Sequence, residues 1–381
     1  MHEIRIAWLL TSAFYYWHPM LSCLSRLFPQ TTAFAANWQG YGRGFEHSFA
    51  VEVVGQRKII PVLKSETSYG SNFTYLPLGI VKHLLRFKPQ VVFSNSFGMW
   101  TLLALLLKPI GRWRVVLAYE GSSPGVDYRN SPTRLAIRRA MVRSADACIT
   151  NSHAGQAYLV EILHSPPEKV FVQPYEVPSA PALLASARAV QLDQVEGERP
   201  IFVFVGSLKP RKGLLLLLKA CVLLKQQGYD RYTLWVVGDG PQRSELEAFC
   251  QQQGLTDRVH WIGQVEYEQV GAYFQQADVF VLPTLEDTWG VVVLEAMAIG
   301  KAVLCSQFAG ASELIVSEEN GFVFDPNQSQ ALAAAMGRFI ADPDLSDRMG
   351  QRSAQMMTQF SPEAAAEFMG RVATFVLQSE D

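Results

Sequence analysis

Short runs rich in valine, isoleucine and phenylalanine alternate with stretches of helical period along the chain, and the alternation starts afresh once, near the middle. In the first half the strand-like runs are 4–10, 33–36, 49–54, 91–94, 115–118 and 147–150, with helical stretches at 76–87 and 132–144. Residues 15–27 follow the first strand and are expected to enter a helix at Pro19, a position where proline is tolerated. Residues 178–200 break the rhythm with a Pro-Ser-Ala-Pro start and a Glu-Gly-Glu-Arg-Pro end. Strands then resume at 201–205, 233–237, 258–261, 278–282, 302–305 and 321–324, and helices at 243–253, 267–276 and 291–299. Runs of this length and composition, separated by helices, predict parallel sheets covered on both faces. The chain therefore reads as α/β with two domains, 1–178 and 179–361, and with 362–381 packing back on the first. Ligands of open parallel sheets collect beyond the carboxyl ends of the strands. Two such edges facing across a cleft suit one substrate each.

Size and charge narrow the class. A chain of 381 residues exceeds what one core normally supports. Acidic residues number 35 against 33 basic ones, so the basic excess of a nucleic-acid binder is missing. The five cysteines form no CxxC pair or metal-ligand spacing and read as buried thiols of a reducing compartment. The N-terminus reads as a first strand, not a signal peptide. The longest apolar runs, 97–107 and 214–218, fall short of the ~20 residues that span a bilayer and read as buried helices. Arg134, Arg138, Arg139 and Arg143 share one expected helix, with Arg134 and Arg138 on one face. That face is either ordinary solvated surface or a contact for anionic lipid. The expected location is cytoplasmic, with peripheral attachment to the inner face of a membrane left open, as is the oligomeric state.

Four strand–loop segments carry the chemistry. In 283–300 a strand ends, a polar loop holds Glu286, Asp287, Thr288, Trp289 and Gly290, and a helix opens at Val291 and Val292. Gly290 lets a ligand approach the backbone, and a helix start favours oxygen-rich or anionic groups. Glu295, in the helix, is placed to accept both hydroxyls of a ribose. The competing reading has Asp287 capping the helix and Glu295 solvated. In 204–213, Gly206 and Ser207 precede Lys209, Arg211 and Lys212, three cations at a strand end, suited to a diphosphate or to a wet basic turn. The P-loop pattern and the dinucleotide fingerprint are both missing. Gly238 follows a strand in Val-Val-Gly-Asp-Gly-Pro, and 308–315 with 320–326 either close the same pocket or turn the chain.

Taken in order, Val-Gly-Ser-Leu…Arg-Lys-Gly, Val-Val-Gly-Asp-Gly-Pro, Ile-Gly, Ala-Asp-Val-Phe-Val-Leu-Pro-Thr, Glu-Asp-Thr-Trp-Gly…Leu-Glu-Ala-Met-Ala-x-Gly and Gly-Phe-Val-Phe-Asp-Pro resemble the retaining GT-B glycosyltransferases of family 4 (glycosyl transferases group 1). The likeness is dense over 202–326 and fainter before. It implies a GT-B fold, two Rossmann-like domains facing across a cleft. It also implies sugar transfer from a nucleotide-sugar, with UDP favoured and GDP next, to a glycan or lipid-linked acceptor in polysaccharide biosynthesis. Neither a resident cofactor nor a metal is expected. On this resemblance Glu295 takes the second carboxylate of the Glu-x7-Glu motif and binds the ribose, Asp287 takes the first and lies at the sugar, and Lys212 meets the diphosphate. Backbone groups of 288–292 meet sugar hydroxyls and diphosphate, with Gly206, Ser207, Lys209, Arg211 and Gly238 around them.

The departures lie mostly in the first half. Ser207 stands where an arginine is usual, with Lys209 or Arg211 to supply the charge. The first-domain loop 12–19 is bulky where glycines are usual, which makes Trp17 and His18 candidates for lining the acceptor side. Glu120 takes the place of a usual histidine, as a catalytic or acceptor-side carboxylate, and loop 122–130 is the expected acceptor segment. Two alternatives stay open, a nucleotide-sugar epimerase of the same fold and a non-catalytic sugar-binding or partner protein.

Overall fold

The computed structural model describes residues 4–63, 65, 67–188 and 197–379. The chain forms two compact units. One gathers Met1–Lys64, Gly70–Val177 and Phe360–Asp381, the other Ser65–Tyr69 and Pro178–Gln359. Ser65–Tyr69 thus departs from the division read from the sequence, because these five residues cluster with the second unit.

In the first unit, strands β1 (Ile6–Leu10), β2 (Thr31–Ala35), β3 (Ala50–Val53), β4 (Lys58–Leu63), β5 (Ser71–Tyr75), β6 (Val91–Asn95), β7 (Arg114–Tyr119), β8 (Ala147–Thr150) and β9 (Val170–Val172) occur in chain order. Seven form a sheet in the order β3-β2-β1-β6-β7-β8-β9, with every neighbouring pair parallel. Every residue of β1, β6 and β8 is buried, as helices on both faces require, so these strands read as continuous apolar runs instead of alternating. The antiparallel pair β4–β5 and the short edge strand β9 are additions to the expected set.

In the bulky stretch after β1, Phe14, Tyr15 and Tyr16 are half-buried, while Trp17 and His18 are core. Trp17 is 1% exposed and lies 5.5 Å from Trp8 and 6.0 Å from Tyr175, ring to ring. His18 is fully buried at the start of helix His18–Leu27, and its Nδ1 accepts the Gly42 N–H at 3.0 Å. Burial pushes its pKa down to about 4, so it is neutral at physiological pH. Trp17 and His18 fill the space beside β1. The acceptor-side role expected of them is therefore corrected to a packing role.

Two other expectations change. Helix Met99–Gly111 buries Trp100, Thr101, Ala104 and Leu105, but Leu102, Leu106 and Ile110 are 40%, 65% and 70% exposed, so it is not a buried helix. Its leucines go all round, and only one stripe faces the sheet. On helix Pro132–Ser144, Arg138 is buried and donates to the Asp127 carbonyl and the Tyr158 hydroxyl. Arg139 donates to the Ile162 carbonyl, and Arg134 sits 3.9 Å over the Tyr128 ring. These three arginines brace the protein itself, while Arg143 on the same helix is exposed. The last helix, Pro362–Gln378, belongs to the first unit and packs on His18–Leu27, with the Phe171 and Phe375 rings 5.0 Å apart.

The second unit holds β10 (Ile201–Val205), β11 (Thr233–Val237), β12 (Val259–Gly263), β13 (Val279–Leu282), β14 (Ala302–Ser306) and β15 (Gly321–Phe324). Their order is β12-β11-β10-β13-β14-β15, all parallel. The chain runs outward one way from β10, then returns to β13 and runs the other way, which makes the β10–β13 boundary a topological switch point. Helix Leu214–Gln226 anchors this sheet by burying Leu214, Leu217, Leu218, Cys221 and Leu224, a helical stripe. Each leucine so buried contributes roughly 1.5–3 kcal/mol. No helix among the described residues is long and apolar enough to cross a membrane.

Candidate active site

The segments singled out in the sequence converge where the fold predicts a ligand. The loop 207–213 leaves β10 and the loop 283–290 leaves β13, adjacent strands on either side of the switch point. Backbone contacts fasten the two loops together. The Arg211 carbonyl accepts the Leu285 N–H at 2.8 Å and the Thr284 hydroxyl at 3.0 Å, and the Arg211 guanidinium donates to the Glu286 carbonyl. Gly213 has φ +71°, and a Cβ there would lie 2.0 Å from the Pro283 carbonyl oxygen. Only glycine permits that approach. On its other side the loop pairs with 308–311. Asp287 N–H donates to Phe308 (2.9 Å), Gly310 N–H to Asp287 (3.1 Å) and Ala311 N–H to Trp289 (2.7 Å).

This framework holds a buried charge cluster. Asp287 is 7% exposed, with Lys212 Nζ 2.5 Å from its Oδ2, Arg211 3.9 Å away, and the Tyr69 hydroxyl donating to Oδ1 at 3.2 Å. Burial alone would raise the carboxyl pKa. Lys212, Arg211 and the Tyr69 hydroxyl outweigh burial and hold it below the ordinary carboxylate value. Asp287 is therefore ionised and paired, and it does not cap the helix. Helix Val291–Ala298 opens instead on Gly290 (φ +92°), with no side-chain cap. Its first N–H groups and its dipole favour anionic oxygen.

Glu295 lies one turn into that helix and is 5% exposed, so the solvated reading fails. Its Oε1 accepts the Tyr267 hydroxyl at 2.7 Å. Burial pushes its pKa up to about 7, against a smaller downward pull from Tyr267. The site thus has two buried carboxylates eight residues apart with opposite tendencies, one held ionised by cations and one poised near neutrality.

The other candidates divide. Arg211 and Lys212 join the cluster. Lys209 is exposed, in the wall of a cavity of about 630 Å³ that Tyr69, Arg211, Gln242 and Glu245 also line. Ser207 is half-buried. Gly238 (φ +134°) serves a close approach to the Gly206 carbonyl, which a Cβ would meet at 2.0 Å, so both glycines shape the strand ends. The Trp289 ring is core at 2% exposure. Glu120 lies half-buried at the end of β7 in the first unit, where its carbonyl accepts from the Asn151 side chain at 3.0 Å. The loop after it closes on buried Asp127, which accepts from the Tyr119 and Ser122 hydroxyls and from Arg129. Sequence reasoning missed Thr284, Tyr267 and Tyr69. Tyr267 opens the helix after β12, a strand-to-helix position like those already noted. Tyr69 carried no signal, because it sits between strands that were not anticipated.

Comparison with known proteins gives a consistent setting. Residues 35–175 match the model of Glycosyltransferase Family 4, and residues 191–356 match that of glycosyl transferases group 1. The alpha-D-kanosaminyltransferase of Streptomyces kanamyceticus is 30% identical over 184 residues, 48% of this chain and 47% of that protein. The GDP-mannose-dependent alpha-(1-6)-phosphatidylinositol monomannoside mannosyltransferase of Mycolicibacterium smegmatis is 31% identical over 161 residues, 40% of this chain and 42% of that protein. The chain spans about half the length of the curated relatives it matches. Among solved structures, Anabaena HepE in complex with UDP superposes with a TM-score of 0.76 at 18% identity, over 97% of this chain and 100% of that one. At that identity the likeness speaks for the fold.

Proposed function

Because the chain belongs to the GT-B glycosyltransferases of family 4, we propose that it transfers a sugar, with retention, from a nucleotide-diphosphate donor to a hydroxyl of a glycan or lipid-linked acceptor. The observation that carries this reading is the pairing of Lys212 with buried Asp287 beside a helix start that has no side-chain cap, with Glu295 in the same helix. A leaving diphosphate gains negative charge. Lys212, Arg211 and the first N–H groups of helix Val291–Ala298 are fixed before the reaction begins, so they stabilise that charge without reorganisation. Asp287 stays ionised, and it orients the sugar hydroxyls and favours positive character at the ring. Glu295, once ionised, accepts both ribose hydroxyls. UDP is the favoured base, in keeping with the UDP complex of the superposed HepE structure.

Calorimetric titration with UDP-, GDP- and ADP-sugars tests the donor half. Saturable binding of one base class is the expected result, and a folded protein that binds none of them overturns the reading. Incubation of the bound donor without acceptor separates transfer from epimerisation, since an epimerase converts the donor unaided.

For location, we propose a peripheral contact with an anionic lipid surface through helix Met99–Gly111. Its exposed row of Leu102, Leu106 and Ile110 supports the contact. So do exposed Arg112 and Arg143, at helix ends that Lys108 joins by donating to the Ser144 carbonyl. An apolar row with a basic end suits insertion at a headgroup boundary. Co-sedimentation with vesicles containing phosphatidylglycerol should retain the wild type and lose most of an L106E/I110E variant. Equal sedimentation of the two removes the proposal.

A further inference from the structure

Tyr69 makes a pattern of contacts unusual for a structural tyrosine. Its hydroxyl donates to Asp287 Oδ1 at 3.2 Å and accepts the Thr288 N–H at 3.3 Å, with Thr288 Oγ1 at 3.5 Å. Its own N–H donates to Glu286 Oε2 at 2.9 Å, and its ring lies 4.0 Å beneath the Arg211 guanidinium. One hydroxyl that gives its proton to a carboxylate while taking one from a backbone amide does what a sugar hydroxyl does in a carbohydrate site. Asp287 and the Thr288 amide belong to the loop assigned above to the donor sugar. Without Tyr69, Asp287 Oδ1 and the half-buried Thr288 amide would lose the hydrogen bonds it makes to them, which is costly in a poorly solvated site, so an unliganded site gains from a group in that position.

We propose that Tyr69 is a resident stand-in for the donor sugar, its hydroxyl occupying the position that a sugar hydroxyl takes between Asp287 and the Thr288 amide. The inference rests on the glycosyltransferase reading. While no donor is bound, Tyr69 satisfies both groups and holds Arg211 against its ring. The nucleotide portion, which addresses Arg211, Lys212 and Glu295, binds without displacing the phenol. The sugar portion must exchange with it, so Tyr69 weakens donors whose hydroxyl cannot replace both contacts. That makes it a specificity-determining residue for the sugar, acting by competition. Burial raises the phenol pKa, so the hydroxyl keeps the proton it donates to Asp287.

The test separates nucleotide from sugar. Tyr69→Phe keeps the ring under Arg211 and removes only the hydroxyl. Calorimetry on wild type and variant uses UDP against UDP-glucose and GDP against GDP-mannose. The expected result is unchanged nucleoside diphosphate affinity, within about twofold, and nucleotide-sugar affinity raised roughly fivefold, the scale of one or two modest hydrogen bonds. Weaker nucleotide-sugar binding by Tyr69→Phe would make the phenol a direct donor contact and overturn the stand-in. An unchanged ratio of nucleotide-sugar to nucleotide affinity overturns it equally, while leaving the functional reading in place. A wild type that binds none of the four compounds overturns the functional reading, and this inference with it.

Discussion

Lys212→Met is expected to lower the turnover of sugar transfer by roughly 10²–10³-fold, the usual loss when one fixed donor to a developing anion is removed. The side chain is well placed for two tasks. It pairs with buried Asp287 at 2.5 Å, and in the proposed reaction it lies at the loop where a leaving diphosphate meets the helix start. Methionine keeps the length and apolar stem, so the loss reports the ammonium. Stability should fall as well, by roughly 1–3 kcal/mol, because a buried carboxylate loses its nearest partner. Arg211 at 3.9 Å and the Tyr69 hydroxyl keep that loss from being larger. The pH dependence has a definite sign. The Asp287 pKa in the folded protein is held below its ordinary value, so its contribution to stability is present above the unfolded pKa of about 4. That contribution is lost as pH falls through the folded value. Without Lys212 the contribution shrinks. The gap in melting temperature between wild type and variant should therefore be widest near pH 7 and narrow below about pH 4. Unchanged turnover with lowered stability would reduce Lys212 to a structural partner of Asp287.

What the sequence revealed and what it concealed follow from the range of the interactions involved. The six strands of the second unit, and the loops after β10 and β13, announce themselves locally through apolar runs that end in glycine and charge. The choice of Asp287 over Glu286 likewise follows from spacing to Gly290. Trp17 and His18 show where local reasoning stops. Aromatic residues after a first strand read as ligand surface or as core, and only the positions of Trp8 and Tyr175, far apart in sequence, decide for core. The arginines of helix Pro132–Ser144 show the same limit. Their spacing suggests a solvated face, but the Asp127 and Ile162 carbonyls and the Tyr128 ring claim three of the four. Tyr69 is the extreme case. Its hydrogen-bond partners lie more than 200 positions away, and no periodicity within β4 or β5 encodes them.

Glu295 gives the second large effect, and it is one that pH controls. Burial pushes its pKa up to about 7, yet in the role proposed for it the carboxylate form is the one that accepts from two ribose hydroxyls. Nucleotide affinity should therefore fall as the site protonates, approaching tenfold per pH unit below about pH 7. Calorimetry with UDP and GDP between about pH 5.5 and about pH 8.5, the span over which one group with a pKa near 7 titrates, measures the slope directly. Glu295→Gln keeps the shape and the hydrogen-bonding capacity toward Tyr267 but cannot ionise. Its nucleotide binding should be weak and independent of pH. Stability should run the other way. A folded pKa raised above the unfolded one confers stability that is full below the unfolded value and is lost as pH rises through the folded value. Ionised and buried, Glu295 should thus cost about 3 kcal/mol above pH 7, from a pKa displaced from 4.5 to about 7. The unliganded Glu295→Gln variant should be the more stable protein at pH 8 while binding donor worse. Opposite shifts in stability and affinity from one substitution would mark Glu295 as a group kept for binding at the expense of the fold. Parallel shifts, or a pH-independent wild type, would remove it from the ribose site.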